Sequence, residues 1–410
     1  MRENYVKSYY ALFIEYGDIV KLKKPWPMTI LSDSEKARIL LTSEAKSFTI
    51  SNLTRDLKLL LGDGIITSDG EHWMNQKREI SAHFSLKNLK GYESEILCAI
   101  EDVFPKGQQD ININKIILRT TYQVIAKIIF GKGFSKNMDV LESSMMTALK
   151  FINNRQASIL KFPLWLPISS HREFNKAKKN IDTILLDQLE NNKDVRGSLL
   201  SSLQDKYEVL PPKEAFKKLK DQIVTLFITG HETTANTLIW SVYFLARNKE
   251  SYNSWKEECL NLPDNSLPED VSQLPIINSI LNETMRLYPA APVLPRNTLK
   301  DITVDGLSLK AGEEVLISIF NIHRHPKYWV EPNVFKPERF RDPKMEYKNF
   351  FPFGLGKRSC IGEHLSMMEM RLFLIYLGRN FDFANLVIPE MDFKAEITIR
   401  PEKEIFLKRD

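Results

Sequence analysis

The stretch FPFGLGKRSCIG (residues 351–362) sets one of only three cysteines among three glycines, two basic residues and two phenylalanines. A cysteine is by default a small, inert hydrophobe. Cys360 departs from that default in four ways. Gly354 and Gly356 permit backbone conformations and close approaches that bulkier residues resist. Lys357 and Arg358 bring positive charge, which favours thiolate over thiol. Gly362 opens the apolar run HLSMMEMRLFLIYL, so the free N–H groups of a helix N-terminus are expected to point at the sulfur. Phe353, seven residues upstream, is placed to pack beside the sulfur and keep water away.

Together these features describe a protected cage for one thiolate. Zinc fits poorly, because no CxxC pair or nearby Cys/His cluster supplies further ligands. A thiol nucleophile stays open, although sequence identifies no histidine partner. A single axial thiolate on haem iron fits best.

The chain has 410 residues, 43% of them apolar, enough for a large packed core. Three widely spaced cysteines, Cys98, Cys259 and Cys360, exclude a disulfide framework and suit a reducing compartment. The net charge of +5 does not point to nucleic acid. The N-terminus, MRENYVKSYYALFIEY, has neither a signal-peptide core nor a membrane span. Tyr5, Tyr9, Leu12, Phe13 and Tyr16 fall at helical spacing there and predict a helix packed on the core. A cytoplasmic protein without a transmembrane anchor is expected.

Working outward, the strand-like runs DIVKLKK and PMTILSD follow the first helix. From about Ser34 to Arg286 the chain reads mostly as helix. KFPLWLPISSHR (161–172) interrupts it, with two prolines and an apolar flap at Phe162, Leu164 and Trp165. After Pro289 come the β-like pieces DITVDGLSL and EEVLISIF, the cysteine segment, a helix from about Gly362 and a β-like tail. The expectation is mainly α with small β-sheets in one domain, 1–410. Residues of about 1–70 and 290–410 would supply the sheets, and 71–289 would be mostly helical.

DQIVTLFITGHETTANTLIWSVYFLARN (221–248) is apolar on nearly all sides and predicts a buried central helix. Its polar insert, Gly230-His231-Glu232-Thr233-Thr234, has a bland reading: threonine back-bonds to a carbonyl one turn earlier and bends the helix. Leu226, Gly230, Thr233 and Thr237 share a face. Glu283 and Arg286 lie three apart on another helix, an ordinary ion-pair spacing. SDGEHWMNQKREISAHFS opens with a capping-box pattern at Ser68 and Glu71 and places Trp73 and Lys77 on one face.

The pattern Phe353-x-x-Gly356-x-Arg358-x-Cys360-x-Gly362 resembles the haem-binding loop of the cytochrome P450 superfamily, in a soluble bacterial-type member. The insert in the central helix, Glu283-x-x-Arg286 and Pro337-Glu338-Arg339-Phe340 follow the family's order, and the similarity runs over essentially the whole chain. The resemblance implies haem b (iron protoporphyrin IX) between the central helix and the helix after the cysteine loop, with Cys360 as axial metal ligand. It implies that Gly230 leaves space for dioxygen and that Glu232 and Thr233 deliver protons. It joins Glu283, Arg286 and Arg339 in a buried network bracing the thiolate loop. Trp73, Arg296 and Arg358 fall at propionate-binding positions. Lys77 stands where the family has arginine, with Arg78 one residue later; Lys77 is favoured, without the bidentate fork.

The activity implied is a haem-thiolate monooxygenase using dioxygen and two electrons on a lipophilic small molecule. Val293, Leu294 and Thr234, with the segments 48–61, 162–166 and 291–294, are expected to line the substrate pocket. A fatty acid is the first candidate, a terpenoid or specialised metabolite the second. Since no flavin or iron–sulfur module follows Asp410, a separate ferredoxin, flavodoxin or flavin reductase is expected. Lys77, Arg78, Lys87, Lys90 and Lys357 would offer it a basic face, and a monomer is expected. The rivals are a peroxide-driven or non-monooxygenase haem-thiolate enzyme, for which the Glu232–Thr233 pair is superfluous, and a haem sensor, for which no signalling domain is present.

Overall fold

The computed structural model describes residues 4–23, 27–89, 92–104, 110–131, 137–158, 160–191, 198–263, 273–342 and 347–408. Helices dominate, and the largest of the small sheets has five strands in the spatial order Ile19–Leu22, Met28–Leu31, Glu314–Ser318, Val293–Thr298, Phe48–Ile50. Met28–Leu31 runs parallel to Glu314–Ser318, and the other pairs are antiparallel. The start of the chain and its last third therefore build one sheet together.

The central helix runs Pro212–Arg247 and begins with proline, a residue preorganised for the first helical position. It packs along Ile113–Phe130, which Asn112 caps through the Lys115 N–H and which ends at Gly131 in the left-handed region. The helix after the cysteine loop, Glu363–Asn380, buries Leu372, Phe373, Leu374 and Leu377 in the same core. The helices Pro275–Leu287 and Lys249–Asn261 pack against it.

Several expectations change in detail. In the first helix, Tyr5–Tyr16, the buried residues are Val6 and Phe13, while Tyr16 is 63% exposed. The inward stripe is thus narrower than the spacing of its aromatic residues suggests. A strand, Asp110–Asn112, lies inside the span expected to be mostly helical. It pairs with Phe406–Lys408, and the Ile405 N–H donates to Asn114 Oδ1 at 2.9 Å. The capping box at Ser68 and Glu71 does not form. Asp69 caps the helix Gly70–Ser81, and Ser68 Oγ instead bonds Gln76 Oε1 at 2.6 Å. Among the described residues no helix is long and apolar enough to cross a membrane.

Candidate haem and oxygen site

A cavity of about 420 Å³ lies between the central helix and the cysteine loop with the helix that follows it. Cys360, Phe353 and Gly362 line one side, and Gly230, Thr233, Thr234 and Thr237 line another. Lys77, Arg296, Arg358 and Glu369 are its charged residues, and the remainder is mostly apolar, with hydroxyls from five threonines and two serines.

The loop holds its shape through two left-handed glycines and three backbone bonds of its own, Gly354 to Phe351, Ser359 to Gly356 and Cys360 to Phe353. Gly354 and Gly356 have φ of 73° and 70°. A Cβ on Gly356 would stand 2.2 Å from the Leu41 carbonyl oxygen, so only glycine permits that approach. The Cys360 N–H donates to the Phe353 carbonyl at 2.9 Å. The sulfur is open to the cavity yet deep in the protein. That burial pushes its pKa up, against the backbone N–H groups of Gly362 and Glu363 and the charge of Lys77. Lys77 is thus a source of positive charge at the sulfur beside the expected Lys357 and Arg358, and Glu363 opposes it.

Arg358 is turned away from the sulfur. Its guanidinium lies over the Trp73 ring at 4.4 Å and bonds Asp69 Oδ1 at 2.6 Å and the Ser68 carbonyl at 3.0 Å. Lys77 lines the cavity and donates to the Lys357 carbonyl, whereas Arg78 is exposed and bonds Asn75. Arg296 is pushed down to about 10 by burial and by the neighbouring Arg358. Among the described residues Arg296 has only the carbonyl of Pro295 as a partner. Three cations and a tryptophan thus converge on one cavity whose floor carries a thiol. A flat apolar ring with two carboxylates and a thiol-binding metal matches that donor set, so the residues fit haem.

On the central helix the threonines back-bond as the bland reading expects. Thr229, Thr233 and Thr237 each donate to the carbonyl four residues earlier, at 2.8, 3.0 and 3.1 Å. Gly230 lines the cavity, but a Cβ there would meet Ile125 Cδ1 at 3.0 Å, so the missing side chain first serves helix packing. Glu232 does not line the cavity. Its Oε1 accepts from Thr398 Oγ1 at 2.7 Å, and Asn236 Nδ2 donates to that same hydroxyl at 3.4 Å. His231 stacks on Tyr122 at 4.0 Å and bonds the Phe227 carbonyl.

Behind the loop, Arg286 closes on Glu283 through two bonds of 2.7 and 2.8 Å, and Arg339 joins at 3.2 Å. Glu283 and Arg286 are completely buried. Arg286 also donates to the His323 carbonyl at 2.8 Å, and the His323 ring accepts the Phe351 N–H at 3.1 Å. His323 thereby links the ion pair to the first residue of the cysteine segment. Sequence reasoning missed it, and its only signal was its place in the histidine-rich stretch NIHRHPKYW.

The pocket expectations divide. Leu294 and Thr234 line the cavity. Val293 does not: side chains alternate along a strand, and it packs on the other face against Val20, Ile30 and Leu316. From 48–61 only Ile50 and Thr54 reach the cavity, and the 162–166 flap does not. Within that flap Phe162 and Trp165 are exposed, whereas Leu164 is half-buried against the core. Ile65, Phe84, Ile125, Met285 and Glu369 also line it and were not foreseen.

The Cytochrome P450 family model matches residues 1–409, and the chain belongs to that family. It is therefore a haem-thiolate monooxygenase that takes dioxygen, a small-molecule substrate and electrons from a redox partner. The protein LUTEIN DEFICIENT 5, chloroplastic, of Arabidopsis thaliana is 28% identical, over 91% of this chain and 68% of its own length. A cytokinin hydroxylase of Arabidopsis thaliana is 29% identical, over 87% of this chain and 74% of its own. A solved cytochrome P450DA heme domain superposes with a TM-score of 0.86, at 22% identity, covering 99% of this chain and 92% of that one.

Proposed function

We propose that Cys360 is the axial thiolate of haem b in this cavity, and that the protein oxidises a lipophilic small molecule there. The observation that carries the proposal is the convergence of the Cys360 sulfur, three cations and the Gly230–Thr234 turn on one apolar cavity. Trp73, Lys77, Arg296 and Arg358 hold the haem carboxylates. Phe353 and Gly362 shield the sulfur, and the Glu283–Arg286–Arg339 network with His323 keeps its loop in place. When bound, the haem supplies dioxygen reduction and oxygen insertion into substrate.

The chain's own task is proton handling and exclusion of water. Glu232 releases Thr398, takes up a proton from solvent, turns inward and passes that proton to the Thr233 hydroxyl, which gives up its own to the oxygen side of the cavity. Thr233 must first break its bond to the Thr229 carbonyl. Arg78, Lys87 and Lys357 are exposed and offer a basic face to a ferredoxin, flavodoxin or flavin reductase; Lys90, expected to join them, lies outside the described residues. A monomer in the cytoplasm completes the reading.

A fatty acyl chain suits the apolar lining. A neutral ring compound, such as a terpenoid, is the second reading, favoured by one observation: the cavity's three cations are all assigned to the haem edge, leaving none to anchor a carboxylate. The test of the site is the reduced carbonmonoxy spectrum. Cys360→Ser should lose the red-shifted band, and a variant that keeps it would overturn the thiolate assignment. A spin-state titration with graded fatty acids and neutral terpenoids then separates the two substrate readings.

A further inference from the structure

The central helix turns four threonines to the cavity, Thr229, Thr233, Thr234 and Thr237, and none of them has a proton to spare. Thr229 donates to the Thr225 carbonyl at 2.8 Å, and Thr233 to that of Thr229 at 3.0 Å. Thr234 donates to Gly230 at 3.3 Å, and Thr237 to Thr233 at 3.1 Å. A hydroxyl carries one proton and two acceptor lone pairs, so what each has left to offer is an acceptor. Thr229 has the shortest of the four bonds and is half-buried, whereas Thr234 and Thr237 are buried. Nothing among the described residues donates to Thr229 Oγ1. Thr233 is already assigned to proton transfer.

The other polar groups of the cavity lie elsewhere. Its side-chain N–H donors, Trp73, Lys77, Arg296 and Arg358, are assigned to the haem carboxylates. Ser359, Ser366 and Glu369 belong to the cysteine loop and the helix after it, the opposite wall. The fifth threonine, Thr54, has Ser51 Oγ as a hydroxyl partner at 3.4 Å. A ligand that drives water from the threonine wall must therefore bring a donor, or leave an acceptor unmet. An alcohol brings one. An ether, ketone or carboxylate sets acceptor against acceptor, and Thr229 could answer it only by giving up its bond to Thr225.

We propose that Thr229 is a specificity-determining residue and that the substrate is a neutral lipophilic alcohol whose hydroxyl donates to Thr229 Oγ1. The apolar lining supplies affinity, and this one bond fixes orientation. A site built on a substrate hydroxyl rejects analogues lacking it far more sharply than an apolar pocket rejects a missing methylene. The inference rests on the haem-oxidase reading of the cavity and narrows its substrate from any lipophile to one with a donor proton.

The test is a spin-state titration of the haem-loaded protein and its Thr229→Val and Thr229→Ser variants with two matched ligand sets. One set is menthol, menthyl methyl ether, menthone and menthane; the other is dodecanol, its methyl ether, dodecanoic acid and dodecane. In the parent, the alcohol of a set should bind about tenfold tighter than its ether, ketone or acid. Thr229→Val should erase that preference while the hydrocarbon's dissociation constant stays put, and Thr229→Ser should retain it. An alcohol no tighter than its ether overturns the inference, and so does failure of both alcohols to bind. A preference that survives Thr229→Val also overturns it, because the alcohol then docks elsewhere or on the metal. Each of these failures leaves the wider reading standing if the parent keeps its red-shifted carbonmonoxy band; a parent without that band sinks the wider reading instead.

Discussion

Two regions on either side of the cysteine loop treat buried polar groups in opposite ways. Behind the loop, Glu283 receives Arg286, Arg339 and the Lys336 N–H, and Arg286 spends its remaining donors on the carbonyls of His323, Pro332 and Val334. In front of it, among the described residues, Arg296 has one carbonyl and Glu369 Oε1 no partner, and burial pushes the Cys360 thiol up. Burial penalises an unpaired polar group in both places. The difference teaches which region is complete as a protein and which is completed by a ligand.

The comparison breaks most visibly at the brace. Arg286→Leu leaves Glu283 buried with Arg339 and the Lys336 N–H as its remaining partners and should cost about 3–5 kcal/mol, read as a lowered denaturation midpoint before any haem is added. A loss below 1 kcal/mol would show that the two regions are alike. On the cavity side Arg296→Gln should behave in the opposite sense. Stability of the haem-free chain should hold or rise, while haem release to a scavenger should speed up by the loss of a charge-assisted bond worth about 1.5–3 kcal/mol.

Gly356→Ala sits where the regions meet. A left-handed alanine costs about 1–3 kcal/mol, and its Cβ also collides with the Leu41 carbonyl. Haem incorporation should fall with stability, and a variant that loads normally would show that the loop moves aside.

Acid and base then sharpen the contrast by sign. Burial, with Arg286 and Arg324 nearby, pushes His323 down to about 3 from 6.5. The unfolded chain therefore binds its proton first, and stability falls as pH drops through that window. Glu369, raised to about 8 from 4.5, keeps its proton longer when folded, so stability falls as pH rises from 4.5 through 8. Each slope is at most about 1.4 kcal/mol per pH unit. Urea titrations should find the alkaline slope reduced in Glu369→Gln and the acid slope reduced in His323→Gln. Slopes unchanged from the parent would detach these residues from the comparison.

Much of this was legible in the sequence because its chemistry is local. The spacing of Phe353, Gly356, Arg358 and Cys360 lies within one loop, and the Glu283–Arg286 pair lies within one helical turn. The long apolar run around Gly230 announces a buried helix. What escaped depends on contacts between distant segments. Asp69 displaced Ser68 as cap while pairing with Arg358, and Val293 faces the wrong side because strand register decides which alternate residues meet the cavity. His323 acts through a carbonyl and a ring in different directions. Glu369 did leave a trace, as the one acid inside the apolar stretch MMEMRLFLIYL, but burial alone does not reveal which wall it lines.

The contact between Gly356 and Leu41 also bears on how the molecule comes into being. A ribosome releases Leu41 early and Gly356 near the close of synthesis, and domains consolidate from the N-terminal side as the chain emerges. Met28–Leu31 must likewise wait for Glu314–Ser318, so its outer edge stays unpaired and sticky in the nascent chain. The helices can form beforehand, but the seat of the cysteine loop cannot. Capture of the prosthetic group is then a closing event of biogenesis, and shortage of it would strand a nearly finished chain with its last loop undocked.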